Sequence, residues 1–335
     1  MRTVLVTGGA GFIGSHLVDH LLEDGASVRV LDNLATGSLQ NLQAAAQRHS
    51  RGSGAVSNGS RLEVIIGDIR DRELLRTALR NVKYVVHLAA LPPSAVSVMD
   101  PGEIHAVNVE GTLNVLQGAL TEGVWRLVIG SSSSVYGTPD RIPLSEETPA
   151  RPATLFAASK VAAETYARAF YLRHQLDTVT LRYFNIYGPR QKPTGAGALI
   201  ASLLEAVRQR RAFSEQDDRT AEDFMYVDDA VDATLAASQA PRAAGHVINV
   251  GSGQMVSISD VRGILTDLLR TMPVAAFPRN LDAEPRQVCA QTTLAAELLD
   301  FTPRVPLIAG LARTIQSFNE LEHAELPALA RVTPE

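Results

Sequence analysis

The residues whose types and spacing most plainly suit chemistry lie near the N-terminus. Thr7-Gly8-Gly9-Ala10-Gly11-Phe12-Ile13-Gly14-Ser15 follows the apolar run Val4-Leu5-Val6 and opens the amphipathic run Phe12 to Leu22. A strand that ends in glycines and turns at once into a helix aims free backbone N–H groups and the positive end of a helix dipole at one spot. That spot is a seat for a pyrophosphate. Gly8 allows the tight turn, Gly11 lets the backbone approach the phosphates, and Gly14 lets the helix pack close to the strand. A second apolar run, Ser27 to Leu31, ends in Asp32, and an acid roughly 20 residues after the glycines is placed to bind both ribose hydroxyls. No arginine follows Asp32 directly, and its carboxylate would repel a 2′-phosphate, so NAD is expected rather than NADP.

The elements that must position these groups alternate along the first half of the chain. After Asp32 come a polar segment, a strand Leu62 to Ile66, a short helix near Arg72 to Leu79 and an apolar strand Val82 to Leu88. Near-continuous apolar strands separated by helices predict a parallel sheet covered on both faces. The Gly-, Ser- and Asn-rich patch from Gln47 to Ser60 has no period and reads as a mobile surface insertion. Gly67-Asp68-Ile69 and His87-Leu88-Ala89-Ala90 end two strands, where a doubly wound sheet lines its crevice. Asp68 is therefore expected at the adenine amino group, with Ala89 and Ala90 leaving room for ribose and phosphate. His87 reads as a packed, hydrogen-bonded residue rather than a catalyst. A helix from about Ile104 to Leu120 carries Asn108 on its inner face, and a strand Val124 to Ile129 leads into Ser131-Ser132-Ser133-Ser134-Val135-Tyr136-Gly137.

Composition narrows the class. Acidic residues outnumber basic ones by 36 to 31 with no cationic run, which argues against nucleic acid. No signal peptide precedes the glycine turn and no apolar run is long enough to span a bilayer, so a soluble cytoplasmic protein is expected. The single cysteine, Cys289, allows neither an internal disulfide nor a cysteine metal cluster, and no metal is expected.

Taken together, Thr7 to Gly14, Asp68-Ile69, His87 to Ala90, Ser131 to Gly137, Ser159-Lys160, Leu181-Arg182-Tyr183-Phe184-Asn185 and Val227-Asp228-Asp229 fall in the order and spacing of the extended short-chain dehydrogenase/reductases. From Thr3 to about Leu311 the chain resembles the nucleotide-sugar epimerases and dehydratases of that superfamily. The resemblance implies an α/β fold: a Rossmann-like doubly wound parallel sheet with a smaller, interleaved α/β substrate lobe. The NAD-binding part would span 1–183 with a return strand at about 243–252, and the substrate lobe 184–242 and 253–330. It implies a cofactor site of Gly8, Gly11, Phe12, Ile13, Gly14, Asp32, Asn33, Asp68, Ile69, Leu88, Ala89, Ala90, Asn108, Lys160 and Tyr183. Substrate would meet Ser133, Ser134, Asn185, Glu222 and Arg286. Helices Ile104 to Leu120 and Ala157 to His174 resemble those of a family homodimer.

The same resemblance assigns the chemistry to positions 132, 156 and 160. Ser132, three residues before Val-Tyr-Gly, would hydrogen-bond the alcohol being oxidised. Dehydratases carry an Asp-Glu pair next and decarboxylases a Glu; Ser133 and Ser134 stand here, which disfavours dehydration and suits epimerisation through a transient ketone. The family's base is a Tyr four residues before the Lys, one helical turn away. Lys160 is present, but the tyrosine position holds Phe156, which has no proton to exchange. Three explanations follow: an active-site variant made to trap substrate, a base relocated to Tyr136, Tyr187 or His87, or an NAD-binding pseudoenzyme. Two diphosphate-clamping arginines are also replaced, by Glu222 and by Glu284 of Glu284-Pro285-Arg286-Gln287, and Glu215-Gln216-Asp217-Asp218 stands for a glycine-rich turn. Glutamates there would repel a diphosphate, which points to a non-diphosphate or amino-bearing glycoside unless Arg219 and Arg286 take over. The expected activity is that of an NAD-dependent sugar epimerase on a small sugar or glycoside. Its rivals are an ordinary UDP-sugar 4-epimerase, a net dehydrogenase or reductase, and a non-catalytic NAD-binding protein.

Overall fold

A computed structural model describes residues 3–49, 61–92, 100–193, 198–208, 213–214, 220–269, 276–277 and 287–329. Its strands are β1 Thr3–Thr7, β2 Ser27–Asp32, β3 Leu62–Ile66, β4 Tyr84–His87, β5 Arg126–Ser132, β6 Thr178–Tyr183, β7 Asn185–Tyr187, β8 Phe213–Ser214, β9 Ala221–Tyr226, β10 Val247–Val250, β11 Met255–Ser257 and β12 Ala276–Phe277. Seven of them form one sheet in the order β10-β6-β5-β4-β1-β2-β3, every pairing parallel. All residues of β6 and six of the seven in β5 are buried, as strands sandwiched between helices must be. The order reverses between β1 and β4, and the crevice beyond that reversal is where such sheets take ligands.

The helices are α1 Phe12–Glu23, α2 Gln40–His49, α3 Arg72–Leu79, α4 Pro101–His105, α5 Thr112–Thr121, α6 Leu155–His174, α7 Leu199–Arg208, α8 Val227–Gln239, α9 Ile258–Leu269, α10 Thr293–Leu299 and α11 Leu307–Leu329. A π-helical stretch, Ala106–Gly111, joins α4 to α5 without a break. Three strands build a smaller sheet, β11-β9-β7, and β8 pairs with β12. The chain therefore leaves the large sheet after β6, builds the smaller one, and returns through β10 to lie beside β6.

Where the sequence suggested only a polar segment, α2 forms, burying Leu42 and Ala45 against the sheet. The insertion expected from Gln47 overlaps the last turn of α2, and residues 50–60 lie outside the described set. The helix expected at Ile104 to Leu120 is interrupted by its π segment. Asn108, within that segment, is buried, and its carboxamide grips both the N–H and C=O of Leu91 and the Ser159 hydroxyl.

Candidate functional site

A cavity of about 870 Å³ opens across the sheet reversal and is lined from both sides of it. At one end lies the glycine turn. Gly8 sits at φ +72°, and a Cβ there would come within 2.7 Å of the Ala89 nitrogen; a Cβ on Gly14 would come within 2.2 Å of the Gly8 oxygen. α1 starts at Phe12 behind Gly11, with no side-chain cap and no acidic residue in its first turn, and Gly11, Phe12, Ile13 and Gly14 all line the cavity, so the helix's leading N–H groups are left for a ligand. Asp32 lines the same end, held by the N–H groups of Ala10 at 2.9 Å and Leu34 at 2.8 Å. This cradle fits a dinucleotide: donors for a pyrophosphate, no side chain blocking its approach, and a fixed carboxylate for ribose hydroxyls.

Asp68 also lines the cavity, but its oxygens are already engaged. Arg70 donates its backbone N–H, Nε and Nη2, and Asn33 donates Nδ2, all at 2.8–3.0 Å. Those four donors match the roughly four acceptor sites a carboxylate offers. The Arg70 bonds hold its carboxyl at about 2, well below the usual range. An adenine amino group placed at Asp68 would share a carboxylate that already accepts from these four donors.

At the other end stand the residues on which a reaction would turn. Ser132 closes β5, and its Oγ accepts a hydrogen bond from the Ser134 N–H at 3.2 Å, leaving its own O–H free for another partner. Phe156 and Lys160 occupy successive turns of α6, whose start is capped by Thr154 accepting from the Ala157 N–H. All three side chains line the one cavity. Lys160 Nζ donates to the Gly130 carbonyl at 2.9 Å and lies 5.6 Å from the Phe156 ring centre. Burial lowers Lys160 to about 8, against the pull of Glu164 one turn on.

Beneath this end runs a buried network. Arg182 pairs with Glu164 at 2.7 Å, both side chains about nine-tenths buried, and Ser131 Oγ donates to the same carboxylate at 2.5 Å. Arg182 also donates to the Tyr136 hydroxyl, which in turn donates to Asn249 at 2.7 Å. That network removes Tyr136 as a relocated base: it lies outside the cavity lining, and burial raises its pKa. Tyr187 likewise lies outside the lining, bonded to the Leu307 carbonyl and raised by burial. His87 bridges the hydroxyls of Thr7 at 2.7 Å and Thr112 at 2.9 Å, and burial holds it neutral, at about 3. None of the three candidate replacements reaches the cavity.

Of the other expected site residues, Phe12, Ile13, Ile69, Leu88, Ala89, Ala90, Ser133, Tyr183 and Asn185 line the cavity. The Tyr183 hydroxyl turns away to Thr234 at 2.7 Å, and burial pushes it up to about 12. Asn108 and Ser134 do not line it; Asn108 acts at one remove by holding Leu91. Glu222 does not line it either; its carboxylate accepts from the side chain of Asn185, which does. Arg219, Glu284 and Arg286 lie outside the described residues, although Gln287 pairs with Ala221 beside Glu222. Residues the sequence did not single out are Arg190 and Lys192, two cations on the wall. Arg190 pairs with Asp19 at 2.7 Å. Among the described residues no cluster of acids, histidines and cysteine is arranged to hold a metal.

A model of the NAD dependent epimerase/dehydratase family matches residues 4–251. The chain belongs to that family. It is an NAD-dependent epimerase of the short-chain dehydrogenase/reductase superfamily. It is 36% identical to a UDP-glucose 4-epimerase of Mycolicibacterium smegmatis over 323 residues, covering 95% of this chain and 98% of the relative. Among solved structures it resembles the UDP-glucose 4-epimerase of Thermotoga maritima with UDP-glucose (TM-score 0.85, 31% identity, 96% of this chain and 100% of that one). It also resembles a tyrosine-to-phenylalanine mutant of Bacillus cereus UDP-glucuronic acid 4-epimerase, solved with UDP-4-deoxy-4-fluoro-glucuronic acid and NAD (TM-score 0.84, 29% identity, 96% and 100%). The epimerase therefore has the sheet, the glycine cradle and the cofactor class its sequence implied.

Proposed function

We propose that this epimerase inverts a sugar carbinol by transient oxidation to a ketone, with Ser132, position 156 and Lys160 grouped around the reacting carbon. The observation that carries the reading is the meeting of those three side chains in one cavity with the Gly8–Gly14 cradle. Bound NAD supplies a hydride acceptor that later gives the hydride back. Gly8, Gly11, Gly14 and Asp32 would hold it, with Tyr183 and Ala89 walling the cavity. Ser132 would hold the substrate hydroxyl, its orientation fixed because one Oγ lone pair is already used by the Ser134 N–H. Phe156 contributes shape but no proton. Losing a general base costs about a hundredfold to ten-thousandfold in rate, so this chain is a slow, active-site-variant form of the enzyme.

For the substrate, a UDP-sugar is supported by the relatives, whose names are those of UDP-sugar epimerases. The amino-bearing glycoside remains as a second reading, carried by Glu222 at a position where the family has arginine. Glu222 stands one residue behind the wall, its carboxylate accepting from Asn185, which lines the cavity. A homodimer is supported by the resemblance of the α5 and α6 helices to those of a family dimer, and Leu155, Tyr166 and Leu172 on α6 and Leu120 on α5 are exposed apolar side chains. No helix among the described residues is long and apolar enough to cross a membrane.

The test is to load Phe156→Tyr protein with NAD and offer UDP-glucose, UDP-glucuronic acid and an aminoglycoside, reading products by NMR. Epimer formation from a UDP-sugar supports the first reading; epimerisation of the aminoglycoside alone supports the second. No product from any of them removes the reaction.

A further inference from the structure

Phe156 leaves the reacting end of the cavity without a phenol, and the structure narrows what could replace it. Among the described residues, Asp32 and Asp68 are fixed at the glycine-turn end, the Tyr183 hydroxyl is turned to Thr234, and His87, Tyr136 and Tyr187 lie outside the lining. Arg190 is paired with Asp19. Lys192 lines the cavity but is exposed. What remains among the described residues is Lys160, which lines the cavity with Ser132 and Phe156; its Nζ is buried in the wall, bonded to the Gly130 carbonyl and 5.6 Å from the Phe156 ring centre.

We propose that Lys160 is itself the proton acceptor in this chain, taking the proton of the hydroxyl held at Ser132 directly or through one bridging water. The inference rests on the reading that a carbinol is oxidised in this cavity. In the forward step the substrate O–H bond breaks and its proton joins the lone pair of the neutral Nζ. The O–H electron pair becomes the second bond of the ketone, and the C–H pair leaves as hydride to the nicotinamide. Return of the hydride to the opposite face, with the proton passing back from Nζ, closes the balance.

Two features suit Lys160 to this work. Of the chain's 31 cationic residues only Lys83, Lys160 and Lys192 are lysines, and lysine, unlike arginine, gives up its proton when buried. Its surroundings also limit its charge. Glu164 on the same helix favours the ammonium but is itself paired with Arg182 of β6. His87 of β4 is neutral, and the π segment packed alongside presents Asn108, which does not titrate. Burial outweighs Glu164 and leaves Lys160 at about 8, so an appreciable fraction is neutral near that pH.

The first test needs no cofactor. Protein carrying 15N only in lysine gives three Nζ signals, assigned with Lys83→Arg and Lys192→Arg and followed against pH. One signal is expected to titrate near 8; all three titrating near the usual value of about 10.4 overturns the proposal. The second test uses the NAD-loaded chain as it stands. Its slow turnover should rise about tenfold per pH unit until Lys160 is neutral, then level off, and Lys160→Met should lower it by about a hundredfold or more. Melting curves and NAD binding of Lys160→Met check that it is folded. Turnover that is absent, or independent of pH and of Lys160, while Phe156→Tyr is active overturns the role of Lys160 and leaves the epimerase reading standing. A Phe156→Tyr protein that is also inert overturns both.

Discussion

The two ends of the cavity differ in kind. At the glycine-turn end the backbone does the work: a Cβ on Gly8 or Gly14 has no room, and the leading N–H groups of α1 are left for a ligand. At the end lined by Ser132, Phe156 and Lys160, where we propose the reaction occurs, side-chain atoms set the character, and position 156 carries no hydroxyl. Backbone geometry is specified by several residues at once, so it survives a single change. Chemistry is specified by single groups, and one substitution can nearly silence it without disturbing the fold.

The sharpest way to break the contrast is Phe156→Tyr. It should raise turnover by about a hundredfold to ten-thousandfold while leaving NAD affinity within a factor of a few, measured by steady-state kinetics and calorimetry. A gain in NAD affinity of similar size would mean that the two ends are not separable. Next in size is the buried Glu164–Arg182 pair under Ser131. Glu164→Ala leaves a buried guanidinium uncompensated and should cost about 3–5 kcal/mol in urea unfolding. At the cradle, Gly14→Ala places a carbon 2.2 Å from the Gly8 oxygen. It should cost about 1–3 kcal/mol of stability and weaken NAD binding, whatever residue stands at 156.

A smaller effect separates His87 from catalysis. Its folded-state value of about 3 lies below the usual 6.5, so it is neutral when folded and the unfolded chain takes up the proton first. Its contribution is therefore complete above pH 6.5 and is lost as pH falls toward 3. His87→Asn should flatten that part of the stability curve without moving the alkaline limb of turnover.

The same contrast governs what could be read before the structure. The glycine turn, Asp32 and the strands of the large sheet were readable because buried parallel strands are continuously apolar and the turn is glycine for steric reasons. α2 was not, since it buries only Leu42 and Ala45 in a largely polar stretch. The π segment left no trace because apolar spacing does not register one extra residue in a turn. Arg70 stands two residues after Asp68, and its claim on that carboxylate could have been suspected. The pairing of Glu164 with Arg182 joins a helix to a strand 18 residues later and was out of reach of local pattern. Glu222 was visible as a departure, but only the fold shows it turned onto Asn185.

The most direct measurement is label retention. Phe156→Tyr protein carrying tightly held NAD is given a UDP-sugar deuterated at the carbon to be inverted, and product is followed by NMR while absorbance reports NADH. Inverted product that keeps its deuterium on the same carbon, with no net NADH, is the expected result. Deuterium washed into solvent, or NADH accumulating in step with product, would contradict it.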